Sequence, residues 1–309
     1  MKVGETAVTA AAHWGGTARC LISHRENAVF EMAGPFGRAA LRLHRPGYQT
    51  AAAIRSEMWW IAALADAGVP VPGPLRTQAG DLLVHLENGV IATAVCWVQG
   101  SPLGVTGKPF AAPLPQLLDL HCALGRLLAT LHRASDALRL PGDFVRHRWD
   151  ADGLVGDTPL WGPFWDHLAA TSGERALLLR ARDSLRDWLK DYDGDFGLIH
   201  ADVLRENVFV SSGSLALIDF DDSGFGYRVY DLGTAMLGNL AEPAYRDLLD
   251  ALVAGYAETR RVDPQTVEMF TLARACASVG WTMPRIPLHA EVNRSHIRRC
   301  TALAARLIP

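Results

Sequence analysis

The strongest constraint on the fold is a change of hydrophobic period near residue 95. Before it, short apolar runs are broken by turn residues, as in antiparallel sheet. Ala18–Ser23, Asn27–Met32 and Arg38–Leu43 are expected as strands, with "GPFG" at Gly34–Gly37 as the clearest turn between them. Residues 51–67 are expected as a helix, because Ile54, Met58, Ile61 and Leu64 recur at three- and four-residue spacing. Gly68 suits its C-terminal end, and Pro70 and Pro72 prevent its continuation. Asp81–Leu86 and Val90–Trp97 follow as strands, with Asn88-Gly89 as a hairpin signal. Gln99–Pro115 is rich in Gly and Pro and is expected as a linker. Beyond it, Leu117, Leu120, Leu124, Leu128 and Leu131 form a helical stripe. A tryptophan-rich stretch holds Trp149, Trp161 and Trp165, and a second long helix is expected from Glu174 to Leu189. From Asp231 to the end the pattern stays helical. The fold class is therefore α+β, with a β-rich lobe at residues 1–95, a hinge at 96–100 and a larger, mainly helical lobe at 101–309.

The bulk composition excludes several classes. With 309 residues, 49% hydrophobic and 20% charged, the chain can bury a sizeable core. A net charge of -3 gives no reason to expect a nucleic-acid partner, although arginine recurs from Arg285 to Arg306. The longest apolar stretch, Gly89 to Val98, falls far short of the ~20 residues that span a bilayer. No signal-peptide core precedes it, so no membrane association and a cytoplasmic location are expected. The five cysteines, Cys20, Cys96, Cys122, Cys276 and Cys300, are odd in number and form no C-x-x-C pair. Free thiols are expected, and no zinc site. Lysine occurs at Lys2, Lys108 and Lys190 alone, so an arginine can stand where related proteins carry lysine.

Chemistry concentrates in Leu198–Asp222, "LIHADVLRENVFVSSGSLALIDFDD". His200-Ala201-Asp202 follows an apolar pair, and Asn207 lies five residues after Asp202. A strand at Val208–Val210, a turn at Ser212-Gly213 and a strand at Leu215–Ile218 lead to Asp219. Phosphoryl transfer needs a carboxylate that orients the attacking hydroxyl and accepts its proton, and oxygen ligands for Mg²⁺ on the nucleotide phosphates. Asp202 suits the first task; Asn207 and Asp219 suit the second.

H-x-D-x-x-x-x-N followed by an apolar strand and I-D-F resembles the catalytic and metal loops of the aminoglycoside phosphotransferase and choline kinase group. The D-F-D-D ending and "RENVFV" are closest to the branch of stress-response kinases, type II homoserine kinases and hydroxylysine kinases. The resemblance runs from about Ala18 to Asp231. It implies a protein-kinase-like bilobal fold, ATP and Mg²⁺ as cofactors, and a small-molecule hydroxyl acceptor of the amino alcohol, amino sugar or hydroxy-amino acid class. A protein Ser/Thr kinase of the stress-response type and a nucleotide-binding pseudokinase without turnover remain alternatives.

The resemblance also assigns individual residues. His200 is mainly a scaffold for the loop, and Asp231 accepts hydrogen bonds from the loop backbone, N-caps the helix that follows, or does both. Asp221 and Asp222 each assist the metal, bind substrate or accept backbone N–H bonds in the turn before Gly224, with a supporting role favoured for Asp221. The first lobe lacks a G-x-G-x-x-G motif, leaving the Ser23–Glu26 turn, with His24 and Arg25, to approach phosphate or simply face solvent. The third strand carries Arg42 where a phosphate-binding lysine is expected, with Glu57 as its acidic partner. Alternation places Arg45 beyond the strand end. "AVCWVQG" at Ala94–Gly100 resembles the adenine hinge, with the Cys96 carbonyl and the Val98 amide as contacts and Trp97 as packing. Asp150, Asp152, Asp157, Trp161 and Trp165 lie where an acceptor binds, or are surface acids and core aromatics.

Overall fold

In the computed structural model, residues 3–24 and 26–308 are described; Arg25, named above in the first turn, lies outside them. The first elements in chain order are α1 (Val3–Ala12), β1 (Thr17–His24), β2 (Ala28–Gly34), β3 (Gly37–Leu43), α2 (Ala51–Asp66), β4 (Leu83–His85), β5 (Ile91–Cys96) and β6 (Ser101–Pro102). There follow α3 (Leu114–Asp136), β7 (His147–Trp149), α4 (Ala151–Val155), α5 (Ser172–Asp191), β8 (Phe196–Ile199), β9 (Val208–Ser211) and β10 (Ser214–Leu217). The last are β11 (Gly224–Tyr227), α6 (Val229–Leu237), α7 (Tyr245–Ala257), α8 (Pro264–Thr282) and α9 (Glu291–Leu307).

The chain divides into two units, and neither is continuous in sequence. One holds the described residues up to Ser101 together with Ala137–Arg146 and Phe209–Asp221; the other holds Pro102–Asp136, His147–Val208 and Asp222 onward. The chain thus passes between units more often than one hinge at 96–100 would require. The physical reason lies in the first unit, where both later segments bond to α2 and its surroundings. The Val145 N–H donates to Ser56 Oγ, and the Leu217 N–H donates to the Pro70 carbonyl.

The first unit is built on a five-stranded sheet of order β1-β2-β3-β5-β4, antiparallel throughout. Alternation in β2 and β3 sends Phe30, Met32, Ala39, Leu41 and Leu43 to one face, where Ala7, Ala10, Ala11 and Trp14 cover them. That cover is α1 and the turn after it, which the alanine-rich start of the chain did not announce. Arg42 alternates with Leu41 and Leu43 and so points to the opposite face, toward α2. Thr50 caps α2 by accepting from the Ala53 N–H. Beyond the helix, Gly68 takes φ +78° while the Val69 N–H returns to the Leu64 carbonyl, closing the turn. The two strands flanking Asn88-Gly89 are shorter than expected, and Trp97 falls outside β5.

The second unit is mainly helical. β11 pairs parallel with β7 and antiparallel with β8, and this small sheet carries the chain into and out of the Asp202 loop. Its three strands are too short to register as periodicity. Around it α3 packs on α7, α6 on α8 and α8 on α9. The expected helix at Leu117–Leu131 extends to Leu114–Asp136, and α5 begins with a capping box between Thr171 and Glu174. Between Val267 and Gly280, α8 is buried on nearly every side. Cys276 and Cys300 are buried free thiols with their sulfurs 3.5 Å apart. Among the described residues, no helix is long and apolar enough to cross a membrane.

Candidate active site

In the first unit a chain of charges runs from β3 through α2 to the segment after β10. Arg42 Nη1 donates to Glu57 Oε1 at 2.8 Å, and its Nη2 donates to Asp219 Oδ1 at 2.8 Å. Asp221 Oδ1 lies 3.9 Å from the same guanidinium. Burial would favour a neutral Arg42, but the charges of Asp219, Glu57 and Asp221 outweigh it and hold its pKa above the usual arginine range. Glu57 is fully buried. A second guanidinium, Arg146, reaches it: Nη1 lies 3.5 Å from Glu57 Oε2, an ion pair without hydrogen-bond geometry. Arg146 also donates to the carbonyls of Ala53, Phe220 and Asp221, so one side chain ties α2 to the backbone around Asp219. Arg45 lies beyond β3, where it pairs with Glu26 and leaves Glu57 to Arg42 and Arg146.

Asp219 and Asp221 differ in environment. Asp219 lies two residues past β10, not at the strand end as expected, and takes φ +65°. This left-handed conformation is one that aspartate tolerates better than most residues. Its side chain is 47% exposed. Asp221 is buried. Its Oδ2 accepts from Asn27 Nδ2 at 3.0 Å, while its Oδ1 has no hydrogen-bond partner. Burial, and then the charge of Glu57, push its pKa up to about 7, with Arg42 opposing. Asn27 is fixed in turn by the Arg45 N–H, which donates to its Oδ1.

In the second unit the loop after β8 is held from beneath by Asp231. This residue lies in the first turn of α6 rather than at its N-cap. Its carboxylate accepts from the His200 N–H at 2.9 Å and the Ala201 N–H at 2.7 Å, as the resemblance implied. His132, unmarked by the sequence, adds a third contact at 3.0 Å and is itself held by the Tyr256 hydroxyl. Ala201 takes φ +65°, a strained conformation for alanine that these contacts enforce. His200 is buried, and its Nδ1 accepts from the Asp202 N–H. Asp202 then presents both carboxylate oxygens to partners. Oδ2 accepts from Asn207 Nδ2 at 2.7 Å, and Oδ1 accepts from Arg274 Nη2 at 2.8 Å.

Other expected residues fall in simpler settings. Cys96 ends β5, and its N–H donates to the Gly73 carbonyl; Val98 follows in irregular chain. Trp97 lies under Arg38 at 4.0 Å. Asp150 caps α4, Asp157 pairs with Arg182 at the surface, and Trp161 packs edge-on against Trp149. These acids and aromatics serve local structure. Arg146, Asn27, His132 and Arg274 were not anticipated. Arg274 alone carried a signal, being a charged residue inside an apolar helical run.

A model of the phosphotransferase enzyme family matches residues 20–269, beyond the Asp231 limit expected from the motifs. The homoserine kinase of Methylobacterium sp. (strain 4-46) is 30% identical over 234 residues, covering 72% of this chain and 65% of that protein. That of Chelativorans sp. (strain BNC1) is 30% identical over 240 residues with the same coverage. The chain thus spans 65% of the length of these curated relatives. Among solved structures, a microcompartment-associated aminopropanol kinase is similar, with a TM-score of 0.81 and 29% identity over 97% of this chain and 95% of that one. An amicoumacin kinase bound to AMP-PNP and Ca²⁺ has a TM-score of 0.74 at 18% identity, covering 93% and 88%, and shares the fold. The α+β, protein-kinase-like fold expected from the sequence is therefore the fold observed. With most of its length matched by the family model and its Asp202 and Asp219 segments built as described, this chain belongs to the phosphotransferase enzyme family.

Proposed function

We propose that the chain transfers the γ-phosphoryl group of ATP to a hydroxyl of a small molecule, of the amino alcohol, amino sugar or hydroxy-amino acid class. The observation that carries this function is the Asp202 carboxylate, oriented by Asn207 on one oxygen and by Arg274 on the other. The similarity to homoserine kinases and an aminopropanol kinase supports it. Asp202 is assigned to orient the acceptor hydroxyl and take its proton. Arg42, steadied by Glu57, is assigned to the nucleotide phosphates in place of lysine, and the backbone at Cys96 and Val98 to adenine.

The oxygen donors suit a hard divalent cation. Asp221 Oδ1 is a buried carboxylate oxygen without a hydrogen-bond donor, and Asp219 is half exposed. Asp219 and Asn207 are the residues assigned to hold Mg²⁺, with Asp221 in support. When bound, the ion would neutralise charge on the phosphates.

Arginine at position 42 favours one competing function, nucleotide binding without turnover. Phosphotransfer from ATP, measured with and without Mg²⁺ against amino alcohols, amino sugars, hydroxy-amino acids and a protein substrate, separates the two. Mg²⁺-dependent product with a small acceptor is expected. Nucleotide binding with no product across the whole panel would replace the kinase by a pseudokinase.

A further inference from the structure

Arg274 enters the second unit from the middle of α8, where only 4% of its surface is exposed. Its guanidinium lies over the Trp161 ring at 4.8 Å. One end, Nη2, bonds Asp202 Oδ1, and Nη1 bonds Ser278. The remaining donor, Nε, is buried and has no hydrogen-bond acceptor. A buried N–H without an acceptor is costly, and a guanidinium edge is shaped to receive the two oxygens of a carboxylate. The Nε donor is the part of the guanidinium that neither Asp202 nor Ser278 uses.

Charges of both signs surround Arg274, and a second arginine is among them. α9 packs on α8 and carries His296 and Arg299, both partly buried. His296 is held neutral, with its pKa pushed down to about 4 by burial and then by the charges of Arg299 and Arg274. Burial and the Arg274 charge also depress Arg299. The acids in the same field are Asp202, Asp222 and Glu206. Of these, Asp202 is paired with Arg274, and Glu206 accepts from the Thr106 N–H and hydroxyl.

We infer that the acceptor is a hydroxy acid whose carboxylate is bound by Arg274, with Arg299 adding to the positive field, so that the guanidinium beside Asp202 recognises the substrate as well as steadying the base. This rests on the assignment of Asp202 as the residue that meets the acceptor hydroxyl. It selects hydroxy-amino acids over amino alcohols and amino sugars. Only the acceptor's hydroxyl proton and the γ-phosphoryl group move in the reaction; the carboxylate is unchanged.

Matched acceptors test it. L-homoserine is compared with 3-amino-1-propanol, and L-serine with ethanolamine, each pair differing by a carboxylate. Wild-type kcat/KM should favour the carboxylated member of at least one pair by about tenfold or more, as expected where a charge-assisted contact is lost. In Arg274→Gln that preference should collapse, mainly through KM of the acid, and Arg274→Lys should restore part of it. Arg299→Gln, at a half-buried site where folding is less at risk, should lower the preference several-fold. Equal or better turnover of the amino alcohols by the wild type would overturn the carboxylate site and leave the kinase intact. So would an unchanged preference in folded Arg274 and Arg299 variants. Calorimetry with a non-hydrolysable ATP analogue separates the remaining outcomes. Binding of L-homoserine or L-serine that Arg274→Gln abolishes, without turnover, would retain the carboxylate site and remove the kinase. Absence of both binding and turnover for either acid would overturn the carboxylate site.

Discussion

The chemistry of a carboxylate can be separated from its shape at Asp202. Asparagine there keeps the contact with Asn207 in size but cannot take a proton. Asp202→Asn should lower kcat by about 100-fold or more, within the range that general bases contribute, and leave ATP affinity within a few-fold. Undiminished kcat would move the base elsewhere. At Arg42 the expected order is Arg42→Ala weakest, Arg42→Lys intermediate and Glu57→Gln mild. Loss of a charge-assisted contact of roughly 1.5–3 kcal/mol should weaken MgATP binding or turnover tenfold or more in Arg42→Ala. Wild-type kinetics in that variant would place the phosphate contact elsewhere, most simply in the Ser23–Asn27 turn. Asp221 gives a pH signature. Its folded pKa is raised to about 7 from the ordinary aspartate value of 3.8, so the folded state holds more protons than the unfolded state between these values. Its contribution to stability is therefore full below about pH 4 and lost as pH rises through about 7. Asp221→Asn should raise the Tm relative to wild type at pH 8 and give no such gain near pH 4. Equal Tm differences at both pH values would show that Asp221 is ionised throughout.

At the scale of elements, two helices approach closely enough to exclude side chains. A Cβ on Gly125 of α3 would lie 2.1 Å from the Leu252 carbonyl oxygen, and one on Gly255 of α7 would lie 1.9 Å from that of Cys122. The obstacles are backbone atoms, which cannot rotate away. α3 carries His132, the residue that supports Asp231, so separating the helices would disturb the loop as well as the core. Gly255→Ala should cost at least about 1–3 kcal/mol, the usual range for overpacking, and lower the Tm measurably. An unchanged Tm would mean that the two helices separate without loss. Sequence spacing identified α3 and α5 but not this close approach, because neither glycine interrupts the apolar stripe.

At the scale of the whole molecule, residues up to Ser101 look like a self-contained domain in sequence, yet their packing uses distant chain. Trp60, fully buried in α2, meets Phe220 edge-on at 5.4 Å. Arg146 supplies the second cation at Glu57. A fragment ending at residue 101 lacks both and leaves a large aromatic surface uncovered. It should show no cooperative thermal transition, whereas the full chain should. A sharp transition in the fragment, followed by near-ultraviolet circular dichroism, would show that its own sheet and helices suffice.

Local order along the chain was enough to determine the period change near residue 95, the α2 start at Ala51 and a turn at Ser212-Gly213, which the structure shows to be left-handed (φ +48° and +82°). It was also enough for the Asp202, Asn207 and Asp219 pattern, because these residues follow one another within a single loop–strand–loop segment. The meeting of Arg42 with Glu57 was legible too, through the family resemblance, which implies a cation on the third strand and an acidic partner on the following helix. Tertiary structure alone decided what surrounds them. Asn27 and Arg146 reach Asp221 across separations of 194 and 75 residues, and Arg274 reaches Asp202 across 72. No local periodicity encodes such separations. They exist because polar groups taken out of water need partners, and the fold brings those partners from wherever in the chain the packing places them.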